Sequence, residues 1–163
     1  MSELTHIGDD GRAQMVDVGD KATTRREATA AASVRMRPET LAKLEANDIA
    51  KGDVLGVARI AAIQAAKRCD SLIPLCHSLG LDGVDVDFEI DRDFPGIHIR
   101  CAARVTGRTG VEMEAMTGAS IAALTIYDMC KAVDREMQVE RLRLLSKEGG
   151  RSGSWRRPGE GEA

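Results

Sequence analysis

Residues 84–105 read VDVDFEIDRDFPGIHIRCAARV, and this stretch decides the class of fold. In residues 84–90, apolar side chains alternate with aspartate and glutamate, a period of two that is typical of a strand with one wet face. Residues 91–96 then turn the chain into a second strand at residues 97–105. We therefore predict an antiparallel hairpin, with His98 on its exposed side.

The flanking segments add helices to this sheet. Small and apolar residues alternate over residues 27–36, which favours a strand, although the alanines there also favour helix. Asp53 is placed to cap a helix with a narrow apolar side. In chain order we predict strands at 15–18 and 27–36, helices at 37–47 and 54–68, the hairpin, a long helix at 115–135 and a strand at 139–144. This order, ββααββαβ, predicts an α+β fold with helices packed on an antiparallel sheet.

Length and glycine content predict one folded domain with loose ends. A chain of 163 residues, 43% of them hydrophobic, can build a single core. Residues 1–13 lack an apolar period, and residues 147–163 hold five glycines among alternating charges. We expect a flexible tail at residues 1–13, a single folded domain at residues 14–146 and a mobile segment at residues 147–163.

The composition argues against nucleic-acid and membrane partners. Aromatic residues make up 2% of the chain, too few for stacking on bases. The net charge is −3, from 23 basic and 26 acidic residues, so no overall field attracts DNA or anionic lipid. The longest uncharged run, residues 115–127, is too short to cross a bilayer, and the N-terminus lacks a signal-peptide pattern. We expect a cytoplasmic protein.

The four cysteines do not predict a metal site. Their spacing lacks the close pairs that hold zinc or iron–sulfur clusters. We expect Cys69, Cys101 and Cys130 to be small buried side chains. We make no such prediction for Cys76, because it directly precedes His77 in the sequence.

The predicted long helix carries two charged residues among apolar ones. Asp128 and Lys131 are three residues apart and therefore share one helix face. They could form an ordinary solvated ion pair on the surface. Alternatively, the apolar residues around them suggest partial burial, in which a carboxylate beside an ammonium is tuned towards proton transfer.

Two loops and several cations supply further polar groups. Residues 106–114, TGRTGVEME, form a weak phosphate-loop signal, and at most one of Glu112 and Glu114 should face a ligand because they are two residues apart. His77 follows an apolar turn, where a lone histidine more often has a structural role. Nearby cations are each ordinary surface residues, but together they would bind polyphosphate. They are Arg25, Arg26, Lys51, Lys67, Lys131 and Lys147.

Taken together, these segments resemble the MoaC family. The resemblance rests on MVDV (15–18), KGD (51–53), AAK (65–67), LIPLCH (72–77), TGVEMEA (109–115), LTIYDMCKAV (124–133) and LLSKEGG (144–150). These segments follow the family's order and spacing from residue 4 to residue 153. Ser78 departs from the proline that the family usually has after the histidine, so the backbone at His77 is expected to be looser.

The resemblance implies an activity and an assembly. MoaC proteins are lyases of molybdenum cofactor biosynthesis that convert 3′,8-cyclo-7,8-dihydro-GTP, made by a partner radical enzyme, to cyclic pyranopterin monophosphate and diphosphate. They are homohexamers with ferredoxin-like cores and active sites between subunits. No cofactor and no protein-bound metal are expected, and a magnesium ion on the triphosphate stays an open alternative.

The resemblance also implies roles for individual residues. Asp128 would be the acid or base, with Lys131, His77 and Lys51 completing the catalytic set. The substrate-binding residues would be Leu75, Cys76, His77, Glu112, Met113, Glu114, Arg26, Lys67 and Lys147. The competing hypothesis is a non-catalytic module that senses a nucleotide through the same basic loops.

Overall fold

The computed structural model describes residues 11–160. Within that range the elements are β1 (Thr24–Arg35), α1 (Pro38–Glu45), α2 (Val54–Ala66), α3 (Cys69–Leu72), β2 (Gly83–Asp91), β3 (Gly96–Gly107), α4 (Glu112–Cys130), β4 (Gln138–Glu148) and β5 (Trp155–Arg156). None of the helices in this part of the chain combines the length and apolar character that a membrane crossing needs.

The strands form one antiparallel sheet in the order β2-β3-β1-β4-β5. The predicted hairpin is confirmed as β2 and β3, with Val86 opposite Cys101. Without β5 and the short helices α1 and α3, the chain order is βαββαβ, which is the ferredoxin-like arrangement. The predicted α+β class is confirmed, and α2 and α4 pack on one face of the sheet.

Small side chains let the long helix approach the sheet closely. On β1 the residues facing α4 are Ala28, Ala30, Ala32 and Val34, all buried. A Cβ atom on Gly118 of α4 would lie 2.6 Å from Cys101 Sγ and 3.3 Å from the carbonyl oxygen of Ala62. A core built mainly from alanine, valine and isoleucine therefore needs few aromatic residues.

The structure departs from the predicted elements at residues 15–18, at α4 and at α3. Residues 15–18 are not a strand, because Val16 O contacts His77 Nε2 at 2.7 Å and Asp17 Oδ1 accepts a hydrogen bond from Gly19 N. The long helix begins at Glu112 and ends at Cys130, five residues earlier than predicted. The short helix α3 was not predicted.

Asp134 explains the early end of α4. It is 1% exposed, and its Oδ2 accepts hydrogen bonds from Arg37 N at 2.9 Å and from Thr40 Oγ1 at 3.1 Å. Arg37, the N-cap residue of α1, makes no side-chain cap of its own. The helix therefore ends before Asp134, and the carboxylate of Asp134 is free to accept hydrogen bonds from the start of α1.

The predicted ends of the chain are only partly described. Residues 1–10 of the N-terminal tail and residues 161–163 lie outside the described residues. In the segment that starts at Lys147, β5 pairs with β4 by placing Arg156 opposite Ser146 and Trp155 opposite Lys147. The mobility of this segment and the boundaries of the folded domain stay predictions.

Candidate active site

Lys51, Asp128 and Lys131 form one cluster at the C-terminal end of α4. Lys131 Nζ lies 2.6 Å from Asp128 Oδ1, and Lys51 Nζ lies 2.6 Å from Asp128 Oδ2. Lys51 also donates to the carbonyl oxygen of Asp128 at 2.9 Å. The predicted pairing across one helix face is confirmed, and folding adds Lys51 from the loop before α2.

Of the two alternatives for this pair, the single chain shows the exposed ion pair. The Asp128 side chain is 54% exposed, because it lies on the outer face of the last turn of α4, whose inner face carries the buried Ile126, Met129 and Cys130. Hydrogen bonds from Lys131 and then Lys51 lower the pKa of Asp128 to about 2. Its carboxylate is therefore ionised at neutral pH and fixes the positions of two ammonium groups, which are potential proton donors.

A second group of residues surrounds a cavity of about 240 Å³ at the other end of α4. The lining includes six residues that the sequence nominated: Leu75, Cys76, His77, Glu112, Met113 and Glu114. Glu112 and Glu114 both line the cavity, and the expectation that at most one of them faces a ligand stays a prediction. Glu112 is the first residue of α4, and its carboxylate folds back over Gly110, where a Cβ atom would lie 2.0 Å from Glu112 Oε2. Both acids therefore reach the same cavity.

Glu114 is the buried acid of this cavity. It is 4% exposed, and burial, with smaller contributions from the charges of Glu112 and Asp70, raises its pKa to about 7. A carboxyl group with such a pKa can hold or release a proton at neutral pH. It is suited to acid–base chemistry beside a bound ligand.

His77 points one ring nitrogen at the chain and leaves the other available. Its Nε2 lies 2.7 Å from the carbonyl oxygen of Val16, and a carbonyl oxygen can only accept a hydrogen bond. Nε2 therefore carries a hydrogen, and in neutral His77 it is Nδ1 that has the free lone pair. Residues 15–18 thus orient His77 although they form no strand.

A recess of about 130 Å³ adjoins the cavity and is rich in cations. Arg26 and Lys147, both nominated from the sequence, line it together with Lys21 and Arg108, and the carboxylates of Glu27, Glu112 and Glu148 line it as well. Lys21 and Glu112 line both spaces, so the two adjoin. Sequence reasoning missed Lys21 and Arg108. Arg108 could have been found, because it lies inside the glycine-containing loop that was singled out.

Of the remaining nominated residues, Lys67 lines neither the cavity nor the recess. Lys67 is exposed and caps the C-terminus of α2, next to Cys69, whose Sγ lies 3.5 Å from Thr117 Oγ1 of α4. Cys69, Cys101 and Cys130 are buried, as predicted, and Cys76 is half-buried in the cavity wall.

The two parts of the site are far apart in one chain. Glu114 and Asp128 are fourteen residues apart on α4, which corresponds to roughly 21 Å along a helix. A single chain therefore does not bring the cluster of Lys51, Asp128 and Lys131 into contact with the cavity around His77 and Glu114.

One known protein family matches most of the chain. The sequence model of the MoaC family matches residues 15–150. The chain belongs to the MoaC family. The MoaC match includes the cluster, the cavity and the cationic recess, and it ends before β5.

Curated relatives from several bacteria are similar to this MoaC chain over nearly their full lengths. A protein of Roseiflexus sp. is 59% identical over 155 residues, which cover 95% of this chain and 98% of the relative. One from Chloroflexus aurantiacus is 57% identical, covering 96% of each chain. One from Brucella ovis is 56% identical, covering 94% of this chain and 93% of its own. All three carry the name cyclic pyranopterin monophosphate synthase.

Proposed function

We propose that this MoaC chain is a cyclic pyranopterin monophosphate synthase. It would convert 3′,8-cyclo-7,8-dihydro-GTP to cyclic pyranopterin monophosphate and diphosphate in molybdenum cofactor biosynthesis. The observation that carries this proposal is that an acid-lined cavity adjoins a recess whose lining includes four cations and three carboxylates. A purine ring with a triphosphate needs these two environments side by side. The names of the relatives favour this function over a nucleotide-sensing module.

The cationic recess would bind the phosphates. Lys21, Arg26, Arg108 and Lys147 line it, and Arg26 is held in place by donating from Nε to the carbonyl oxygen of Gly107 at 3.0 Å. In the proposed step a sugar hydroxyl attacks the α-phosphorus, and the bond to the bridging oxygen of diphosphate breaks. Cations at the leaving group would stabilise the charge that develops there.

The cavity would serve the ring rearrangement. Opening the purine with water and closing the pterin require protons to be delivered to and removed from nitrogen and carbon atoms. Glu114 has a pKa of about 7 and can therefore exchange protons at neutral pH, and the Nδ1 lone pair of His77 can accept a hydrogen bond from the bound ring. Each such transfer contributes about 10²-fold or more to the rate.

A second copy of the chain would complete the site. An exposed stripe on α4 runs through Met113, Leu124 and Asp128, and beside it lies an apolar groove lined by Val57, Ile60, Leu72 and Ile121. A two-fold axis near Ile121, the midpoint between Glu114 and Asp128, would place Asp128 of one copy beside Glu114 of the other. The exposed stripe and the apolar groove thus support active sites between subunits of an oligomer, and a homohexamer is our specific proposal.

Several finer features complete the proposal. The enzyme would act in the cytoplasm as a lyase and receive its substrate from a radical enzyme. It would need no cofactor of its own, and any magnesium ion would be bound to the triphosphate of the substrate.

Product formation tests the function directly. Purified protein is incubated with 3′,8-cyclo-7,8-dihydro-GTP, and the pterin and diphosphate are measured together. Both products should form in equal amounts. Tight, saturable binding of the substrate without either product would instead support the sensing module.

A further inference from the structure

The C-terminal segment folds back as a hairpin next to the cationic recess. After β4 the chain turns through residues 149–154 and returns as β5. Gly149 and Gly150 have positive φ angles of 87° and 74°. A Cβ atom on Gly149 would lie 2.2 Å from the carbonyl oxygen of Arg25. The turn therefore packs directly against the beginning of β1, where Arg26 lies.

This turn forms one wall of the recess. Lys147, Glu148, Gly149 and Ser152 all line it, and Lys147 Nζ contacts Ser152 Oγ across the turn. The position of the Lys147 ammonium thus depends on the hairpin being closed. Lys147 is the residue through which the tail can influence phosphate binding.

The strand β5 is too short to close the hairpin by itself. It has two residues, both exposed, that pair with Ser146 and Lys147. Isolated two-stranded pairings of this size are at best marginally stable in water. Arg157 extends the contact by donating from N to the carbonyl oxygen of Leu145 at 2.8 Å and from Nε to that of Leu144 at 2.7 Å.

The strongest attachment lies three residues further on, at Glu160. Arg143 of β4 donates from Nε to Glu160 Oε1 at 2.5 Å and from Nη2 to Oε2 at 2.9 Å. Arg143 is itself fixed by donating from Nη1 to the carbonyl oxygen of Arg141 at 2.7 Å. The side chains of Arg143 and Glu160 are 24% and 33% exposed, so the pair is partly shielded from water. Two-point arginine–carboxylate pairs of this kind are stronger than ordinary surface ion pairs.

We propose that Arg143 and Glu160 are positioning residues, a latch that holds the C-terminal hairpin closed and thereby holds Lys147 in the cationic recess. The latch acts through Lys147 and does not touch the substrate. The inference rests on the proposed function insofar as the recess binds the substrate's phosphates. Arg143 lies within the match to the family model, whereas Glu160 lies beyond residue 150, where that match ends.

Inorganic triphosphate is the probe that separates binding from catalysis. Its dissociation constant is measured by calorimetry for the native chain, Glu160→Gln, Arg143→Lys and the exchanged pair Arg143→Glu with Glu160→Arg. Asp48→Asn is the matched control, because it also replaces an exposed, ion-paired carboxylate by an amide but lies beside Lys43, after α1. kcat and KM for the full reaction are measured on the same proteins.

We expect Glu160→Gln and Arg143→Lys to weaken triphosphate binding by roughly fivefold to tenfold. KM should rise by a similar factor with kcat nearly unchanged, the exchanged pair should recover most of the loss, and Asp48→Asn should match the native chain. Equal triphosphate binding by the native chain and Glu160→Gln would overturn the latch alone. A fall in kcat at constant KM would also overturn it. Failure of the native chain to bind triphosphate would overturn the phosphate recess, and the latch with it.

Discussion

The Lys51 ammonium lies 2.6 Å from Asp128 Oδ2, although the two residues are 77 positions apart in the chain. With Lys131 on the other carboxylate oxygen, Asp128 holds two cations at one end of α4. The pairing keeps Asp128 ionised down to a pH of about 2. The stabilisation that the ionised Asp128 gives the cluster is present at higher pH and is lost as the pH falls through that value.

Asp128→Asn should stop turnover while substrate still binds. The amide cannot accept a proton and no longer fixes both lysines, so we expect a rate loss of about 10²-fold or more. Pterin and diphosphate production are assayed alongside equilibrium binding of the substrate. Glu136→Gln, at an exposed acidic residue after α4, is the control. A fully active Asp128→Asn variant would exclude this residue from the chemistry.

Glu114→Gln should change the pH dependence of stability. Because burial raises the pKa of Glu114 to about 7, the neutral carboxyl supports the fold fully below the pKa it has when unfolded. This contribution is lost as the pH rises through about 7. The stability of Glu114→Gln relative to the native chain should therefore increase by roughly 3 kcal/mol between pH 4 and pH 8. Urea unfolding at both pH values measures it, and parallel pH profiles for the two proteins would contradict the prediction.

Gly118→Val should destabilise the fold. The new side chain would meet Cys101 Sγ, which lies 2.6 Å from the position of its Cβ, and α4 cannot move away without losing its contact with the sheet. We expect a loss of about 3 kcal/mol in the free energy of unfolding. Gly80→Val is the matched control, because nothing lies within 4 Å of a Cβ atom there. Similar stability losses for the two variants would show that α4 is not closely packed at Gly118.

Two inactive variants should restore activity when they are co-expressed. If each site takes Glu114 from one copy and Asp128 from another, a mixed assembly of Glu114→Gln and Asp128→Asn chains contains intact sites. Random mixing would leave about a quarter of the sites intact. Turnover of the co-expressed, co-purified chains measures this fraction, and each variant expressed alone provides the baseline. No recovery in a verified mixed assembly would place the whole site within one chain.

Much of the fold follows from local patterns in the sequence. The alternation in residues 84–90 predicted β2, and Asp53 does cap α2 by accepting from Gly56 N at 2.9 Å. The spacing of Asp128 and Lys131 likewise predicted their contact. These features depend on residues within one strand or one helical turn, so their periodicity or spacing is visible in the sequence.

The predicted element boundaries that were wrong depend on residues that are distant in the sequence. The end of α4 is set by Asp134, which satisfies the first turn of α1. Residues 15–18 give a backbone carbonyl to His77 and form no strand. The pairing of Glu160 with Arg143 also lies outside any local pattern, and the mobility of that segment stays a prediction. No local periodicity in the sequence predicts such contacts, since their partners lie in other elements.

The sequence by itself determined the alternation of strands and helices, the small-residue core and which polar residues were candidates for chemistry. Tertiary structure decided which candidates meet. It placed Lys51 beside Asp128, brought Glu112 and Glu114 to the same cavity, and added Lys21 and Arg108 to the phosphate recess. The reason is physical: periodicity reports which face of an element is buried, whereas a site is built where several elements converge, and only their packing fixes those distances.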